Sequence, residues 1–238
     1  MKNIAPIFIF IALFAGLSNA QKPKPKRAAA KPVVKTAPAP AIDPGSVELR
    51  TYSNKTFNFA VTFPDSWLIP DNDFEAYMKK QGFDLSLKFP PGLNQQTKGR
   101  IQTSAKQVTV LLTAYKYLPG MENNAIVRIS AEDLKNFPQI KDAVDYIDAM
   151  RSTFKSLPLP AGFKYSETQA EKLGAKQFAF IDTETKDDKR RLYATVKNGY
   201  ALLFSITYTE KEDLEVLREI LTGGNFGVAA AATDPVEK

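Results

Sequence analysis

The 238-residue chain contains no cysteine and no histidine. These absences exclude Ser-His-Asp and Cys-His nucleophilic sites, zinc fingers, haem ligation by histidine and thiolate clusters. A Gly-x-Gly-x-x-Gly run and a Walker lysine motif are also missing, so a nucleotide site has no support. We therefore expect neither a cofactor nor a metal site. A serine-lysine dyad and a carboxylate enzyme, which needs two facing acids, stay open on composition.

Acidic residues are missing from the first 42 positions, which hold seven of the 32 basic residues. The rest of the chain carries 25 basic and 26 acidic residues, so the net charge of +6 comes from this first stretch. A fold that binds nucleic acid needs a basic face to displace counterions from phosphates. The nearly neutral remainder therefore predicts a protein that binds no nucleic acid.

Long hydrophobic runs are confined to the start of the chain. Lys2, an apolar run over residues 4–17 and the small residues that end at Ala20 are typical of a secretory signal peptide, predicted over residues 1–20. A membrane anchor is the alternative, but the run is shorter than the ~20 residues of a spanning helix. The sequence therefore predicts a secreted or periplasmic protein whose fold is held without disulfides.

Residues 21–45 are rich in lysine, proline and alanine, and such a segment cannot bury enough apolar surface to offset its ordering entropy. We predict a disordered linker here, a globular domain over residues 46–226 and a disordered tail over residues 227–238. The linker is either a solvated spacer or a basic arm. In the second case its residues 22–35 make a weak electrostatic contact with an anionic envelope surface.

The globular part begins with alternating aromatic residues. Phe57, Phe59, Val61 and Phe63 recur at every second position, which predicts one face of a strand, and Pro64 ends that strand because it lacks an N–H. The single tryptophan, Trp67, follows in a Pro-x-x-Trp corner. Val47 and Leu49 predict a short preceding strand, and the turn residues between the two strands predict a hairpin.

The remaining pattern predicts strands and helices in groups. Strands are expected over residues 83–89, 107–117, 125–129, 163–169, 175–185, 191–197 and 200–208. Helices are expected over residues 71–82, over residues 138–156 after a capping box at residues 130–133, and after a second capping box at residues 209–212. Asn198-Gly199 before Tyr200 predicts a two-residue hairpin, which makes the last two strands antiparallel neighbours.

Together these elements predict an α+β fold, a three-layer α/β/α sandwich with a mostly antiparallel sheet. The aromatic hairpin that ends in Phe63-Pro64 and Trp67, the Asn198-Gly199-Tyr200 turn and the closing helix resemble the PsbP-like superfamily. The resemblance covers roughly residues 47–226. It implies a binding or accessory role, and it provides no metal or partner residue that can be matched here.

A mixed-charge turn is the best local candidate for recognition. Lys189, Arg190 and Arg191 in this turn are predicted to bind an anionic or acidic partner, and the alternative is a solvated hairpin tip. Four tyrosines either line a ligand groove or pack across strands: Tyr115, Tyr117, Tyr193 and Tyr208.

Three functions follow from this pattern. We expect a non-catalytic interaction or accessory protein of the cell envelope, whose partner is an unidentified protein or envelope component. The alternatives are a small-ligand-binding periplasmic module and a carboxylate-dependent enzyme. A deep pocket with convergent polar groups would favour the module, and two buried facing carboxylates would favour the enzyme.

Overall fold

A computed structural model describes residues 42–70, 108–119, 121–156, 159, 162–186 and 188–227 of the chain. The predicted signal peptide, nearly all of the predicted linker, and the helix and strand predicted over residues 71–89 lie outside the described residues. The tail from residue 228 onward lies outside them as well. The predicted boundaries of the globular domain therefore stay predictions.

The described ranges contain strands and helices in two groups along the chain. The strands are β1 (Ser46–Glu48), β2 (Thr51–Asn54), β3 (Phe59–Thr62), β4 (Val108–Tyr115), β5 (Ile126–Asp133), β6 (Lys164–Tyr165), β7 (Gln169–Leu173), β8 (Lys176–Glu184), β9 (Lys189–Lys197) and β10 (Tyr200–Tyr208). The helices are α1 (Ala143–Ser156), between β5 and β6, and α2 (Lys211–Thr222), after β10.

These strands form two sheets in which each described pair is antiparallel. The large sheet has the order β4-β5-β10-β9-β8-β6, and β7 also pairs with β8. The small sheet has the order β1-β2-β3. The mostly antiparallel α+β class predicted from the sequence is confirmed.

Side chains that alternate along β10 divide the interior into two cores. Leu202 and Phe204 belong to the core that contains α2 and the aromatic residues of the small sheet. Ala201 and Leu203 belong to the core that contains α1. Because successive side chains of a strand point to opposite faces, α1 and α2 lie on opposite faces of the large sheet.

The aromatic stripe predicted near the start of the domain is confirmed. Phe57, Phe59, Val61 and Phe63 are all buried in the α2-side core, although Phe57 lies in the turn before β3. Trp67 is buried as well, and its ring lies 6.4 Å from that of Phe63.

The predicted Asn-Gly hairpin is also confirmed. Asn198 and Gly199 have φ angles of 53° and 77°, and Lys197 pairs with Tyr200. The Tyr200 ring meets Phe57 edge to face at 5.4 Å, which ties the hairpin to the aromatic stripe. The turn residues therefore fix the register of β9 against β10.

The capping box predicted at residues 130–133 is wrong. These residues continue β5, because each has a partner on β10 that takes up its backbone hydrogen-bonding capacity. The first helix begins later, at Ala143, where the Asp142 carboxylate accepts hydrogen bonds from the amides of Val144 and Asp145. Pro138, predicted in the first helical turn, precedes the helix. Within this helix Val144 faces solvent and is 43% exposed, whereas Tyr146 is buried.

Three further predictions of local structure are corrected. The residue before α2 is Glu210, whose side chain makes no capping hydrogen bond, so the box predicted from Thr209 does not form. The strand predicted over residues 163–169 is two short strands, β6 and β7. Leu49, predicted in a strand, lies in the β1–β2 turn at a φ of 42°. The buried stripe of the closing helix, which includes Leu217, is confirmed.

Phe178 offers a test of the α2-side core, because its fully buried ring contacts those of Tyr193, Phe204 and Phe226. We expect Phe178→Ala to lower the free energy of unfolding by about 3–5 kcal/mol, since it leaves a cavity among these rings. Urea denaturation monitored by Trp67 fluorescence measures the change. Val144→Ala on the exposed side of α1 is the control, with an expected change within about 0.5 kcal/mol. Equal effects of the two substitutions would contradict this account of the core.

Candidate interaction surface

Large apolar side chains are exposed at a few places in the described residues: Val47, Leu49, Val110, Tyr117, Leu118, Met121 and Val144. Three of them lie within the loop that joins β4 to β5, and Leu49 lies in the β1–β2 turn. Single exposed apolar residues are ordinary, whereas clustered ones mark interaction sites. The β4–β5 loop and the β1–β2 turn are therefore the candidates for an interaction surface among the described residues.

The β4–β5 loop holds its apolar side chains in a fixed conformation. Tyr117, Leu118 and Met121 are 45%, 52% and 61% exposed. The side chain of Asn124 accepts a hydrogen bond from the amide of Tyr117 at 2.8 Å and donates to the carbonyls of Tyr117 and Leu118 at 2.9 and 3.2 Å. The amide of Met121 donates to the carbonyl of Leu118. Because the loop is already ordered, it loses less conformational entropy on binding than a flexible loop would.

The β1–β2 turn carries the most exposed apolar residue, Leu49, at 91%. Leu49 and Arg50 have positive φ angles of 42° and 71°, where turns of this kind usually hold asparagine and glycine. The guanidinium of Arg50 donates to the carbonyls of Pro64 and Trp67. The Pro-x-x-Trp corner therefore holds this strained turn in place.

Backbone hydrogen bonds connect the two loops. Leu68, next to the corner, pairs with Tyr115 at the end of β4, with N···O distances of 2.7 and 2.9 Å. The turn is thus joined to the corner, and the corner to the start of the β4–β5 loop. Both loops lie at one end of the molecule, and we call the side chains of Leu49, Tyr117, Leu118 and Met121 the apolar end.

An ion pair between the partly exposed Lys116 and a buried carboxylate fixes the start of α2 beside the β4–β5 loop. Lys116 lies 2.8 Å from Asp213, whose side chain is buried. The hydrogen bond to Asp213 raises the pKa of Lys116, so the lysine stays charged at neutral pH. Nζ of Lys116 also lies 5.2 Å from the centre of the Tyr117 ring. The first turn of α2 therefore borders the β4–β5 loop.

Carboxylates are the commonest charged groups in and next to the chain segments that form the apolar end and the start of α2. The exposed ones are Glu48, Asp65, Glu122, Glu210 and Glu212. The basic residues here are Lys211, which is exposed, Lys116, which pairs with Asp213, and Arg50, which lies 4.0 Å from Asp65. With Asp213, this makes six acidic and three basic side chains. The apolar end thus has an acidic rim.

A second candidate site lies between α1 and β5. The Tyr146 hydroxyl donates to the Glu132 carboxylate at 2.5 Å, and both side chains are buried beside a cavity of about 10 Å³ that Phe137 and Met150 also line. Burial raises the pKa of Glu132 to about 7, and burial together with Glu132 raises the pKa of Tyr146. A cavity of this size holds about one water molecule.

The three residues predicted to bind a partner have different environments. Lys189 is exposed in the first position of β9. Arg190 is 7% exposed, and its Nε donates to the Thr207 hydroxyl at 3.0 Å, which corrects the prediction that it is presented to a partner at a turn. The reason is that β9 begins at Lys189, so Arg190 lies within the sheet. Burial lowers the pKa of Arg190 to about 10.

Arg191 belongs to a polar network on the other face of β9. Its guanidinium donates two hydrogen bonds of 2.7 Å to the Asp182 carboxylate and lies 4.3 Å above the Phe180 ring. The Tyr193 hydroxyl donates to Glu171, which also accepts hydrogen bonds from Arg218 of α2. Burial raises the pKa of Tyr193 to about 12. The network joins β7, β8, β9 and α2, and partner binding by Lys189 and Arg191 stays a prediction.

Of the four tyrosines, Tyr115, Tyr193 and Tyr208 are buried, which agrees with packing across strands, and Tyr117 is half-exposed. The sequence patterns did not predict that Leu49, Leu118 and Met121 are exposed at the surface. The available signal was their position beside turn-forming residues, as in Leu118 before Pro119 and Met121 before Asn123.

The Asp and Glu side chains of the described residues form no group of three or more that could hold a metal ion. The helices in this part of the chain include none that is long and apolar enough to cross a membrane.

Comparison with known proteins gives likeness to solved structures. No protein-family model matches the chain, and no curated protein matches it. The solution structure of cyanobacterial PsbP (CyanoP) from Synechocystis sp. PCC 6803 is similar at a TM-score of 0.40 and 12% identity, covering 76% of this chain and 96% of CyanoP. LpqN, involved in cell envelope biogenesis of Mycobacterium tuberculosis, is similar at a TM-score of 0.38 and 13% identity, covering 77% of this chain and 85% of LpqN. At these scores the likeness carries no conclusion about function.

Proposed function

We propose that this chain is a non-catalytic interaction protein of the cell envelope and that it binds its partner through the apolar end. The observation that carries the proposal is the exposure of Tyr117, Leu118 and Met121 on a loop whose backbone is held by hydrogen bonds from Asn124 and from the amide of Met121. Exposed apolar side chains cost solubility, and a preformed loop keeps them ready for contact. The predicted signal peptide supports an envelope location.

The two alternative functions have less support. A small-ligand module needs a pocket of several hundred Å³, and the cavity beside Glu132 has about 10 Å³. A carboxylate enzyme needs two acids that face each other. The partner that Glu132 meets among the described residues is the Tyr146 hydroxyl. We propose that the Glu132–Tyr146 pair is structural and holds α1 against β5.

The structural role predicts a pH dependence of stability. The pKa of Glu132 is about 7 in the folded protein, against an ordinary value of 4.5. Because the folded state holds this proton more tightly, the contribution of Glu132 is fully present below pH 4.5 and is lost as the pH rises through about 7. We expect Glu132→Gln to be more stable than the parent above pH 7, by on the order of 3 kcal/mol.

Urea denaturation of both proteins between pH 4 and 9 measures this difference. The glutamine oxygen still accepts the Tyr146 hydrogen bond, so the variant keeps the contact without the buried charge. Tyr146→Phe is the opposite control and should steepen the loss of stability at high pH, since it removes the donor to the carboxylate. Parallel pH profiles for parent and Glu132→Gln would contradict a titrating buried carboxylate.

The proposed binding surface is tested by envelope fractionation. In cells that express the full chain, we expect Leu49→Ser, Leu118→Ser and Met121→Ser combined to lower the envelope-bound fraction about tenfold or more, because three apolar contacts are lost. Val144→Ser, an exposed apolar position on α1, is the matched control and should keep the bound fraction of the parent. Circular dichroism and Trp67 fluorescence check that all proteins are folded.

Retention of the triple variant in the envelope fraction would contradict the proposal. An equal loss for Val144→Ser would also contradict it, since general surface hydrophobicity would then explain the binding.

A further inference from the structure

We propose that the apolar end binds a cationic, proline-containing segment and that residues 22–35 of this same chain are its occupant. The inference rests on the proposed function, because it takes the apolar end as a binding surface. It goes further in naming the chemistry of what that surface accepts.

The rim of the apolar end and residues 22–35 carry opposite net charges. The rim of the apolar end carries three more acidic than basic side chains, and its exposed carboxylates include Glu122 and Glu212. Residues 22–35 contain six basic residues and no acidic one: Lys22, Lys24, Lys26, Arg27, Lys31 and Lys35. Opposite charges around a binding surface select the partner and fix its position more than they add affinity.

The apolar residues of the segment 22–35 also match the apolar side chains of the apolar end. Proline-rich segments adopt an extended helix with little entropy to lose, and they dock against exposed aromatic side chains. The apolar end offers the half-exposed Tyr117 ring with Leu118 and Met121 beside it. Residues 22–35 carry Pro23, Pro25 and Pro32, followed by Val33 and Val34.

The chain between residue 42 and residues 22–35 is long enough to bring this segment to the apolar end. The described chain starts at residue 42, and the carbonyl of Asp43 accepts a hydrogen bond from Asn54, at the end of the β1–β2 hairpin opposite to Leu49. Residue 35 is seven positions and residue 22 is twenty positions before residue 42, and extended proline-rich chain spans about 3.1 Å per residue. These lengths, up to roughly 20–60 Å, exceed that of the four-residue strand β2 that separates Asn54 from the β1–β2 turn. A tether of this length gives an effective concentration in the millimolar range, enough to populate a weak contact.

Methionine oxidation of the intact protein tests the inference. Hydrogen peroxide transfers one oxygen to the thioether and leaves as water, and as an uncharged reagent it is insensitive to the charge of the rim. Met121 is 61% exposed and reports on the apolar end, whereas Met150 is 2% exposed and serves as the internal control for folding. Peptide mass spectrometry follows the two residues separately.

We expect Met121 to be oxidised about threefold faster when all six basic residues of 22–35 are replaced by glutamine, with Met150 unchanged. Glu122→Gln with Glu212→Gln should raise the rate similarly, because both remove the attraction between arm and rim. Glu167→Gln with Glu219→Gln, two exposed acids outside the rim, is the matched control and should leave the rate unaltered. Raising sodium chloride to about 0.5 M should bring the parent rate to that of the arm variant.

Equal Met121 rates in the parent and the arm variant would overturn the inference. Protection that grows with protein concentration would overturn it too, since the occupant would then be the arm of a second copy. Both outcomes are separable from the proposed function. Envelope retention that depends on Leu49, Leu118 and Met121 would survive them, and the partner of the apolar end would then lie outside this chain.

Discussion

The antiparallel register of β10 is the constraint on which the rest of this structure depends. This strand pairs over nine residues with β9 on one side and over eight with β5 on the other. Its side chains enter the two cores in strict alternation, with Phe204 on the α2 side and Leu203 on the α1 side. Because the side-chain period is two, a shift by one residue would exchange the two faces. The Asn198–Gly199 turn and the aromatic packing of Phe204 together exclude that shift.

The same register decides which loops meet. Thr207 of β10 pairs with Ile126, and Ile126 pairs with Tyr115. The β4–β5 loop and the start of α2 therefore lie at the same end of the strands of the large sheet. Lys116 and Asp213 can therefore form their ion pair. Leu68, next to Trp67, bonds to Tyr115 and so connects the Pro-x-x-Trp corner, which holds the β1–β2 turn, to the same end of these strands. The proposed interaction surface is therefore assembled from segments that are far apart in the chain.

Two charged residues, Arg191 and Glu132, have specific partners within the fold. Arg191 is held by Asp182 and by the face of Phe180, and Glu132 is held by Tyr146. A buried charge is costly unless it is paired or neutralised, so such groups acquire specific partners. The surface of the apolar end shows the opposite arrangement, in which apolar groups are kept in water by a rigid loop.

Local rules predicted much of the local structure. The alternation of Phe59, Val61 and Phe63 identified a buried strand, and Asn198-Gly199 identified a hairpin, because both depend on backbone geometry within a few residues. The predictions of the two capping boxes were wrong, because tertiary contacts can override local sequence preferences. Residues 130–133 resemble a capping box, but the backbone partners offered by β10 made them a strand.

The sequence by itself therefore determined the class of fold, the buried aromatic stripe and the types of chemistry that its composition excludes, since these depend on residue type and spacing. Only the tertiary structure decided that Arg190 is buried, that Glu132 meets Tyr146, and that Leu49 and Met121 belong to one end of the molecule. Those facts arise from pairings between distant segments, and the free energy of such pairings is not carried by any short stretch of sequence.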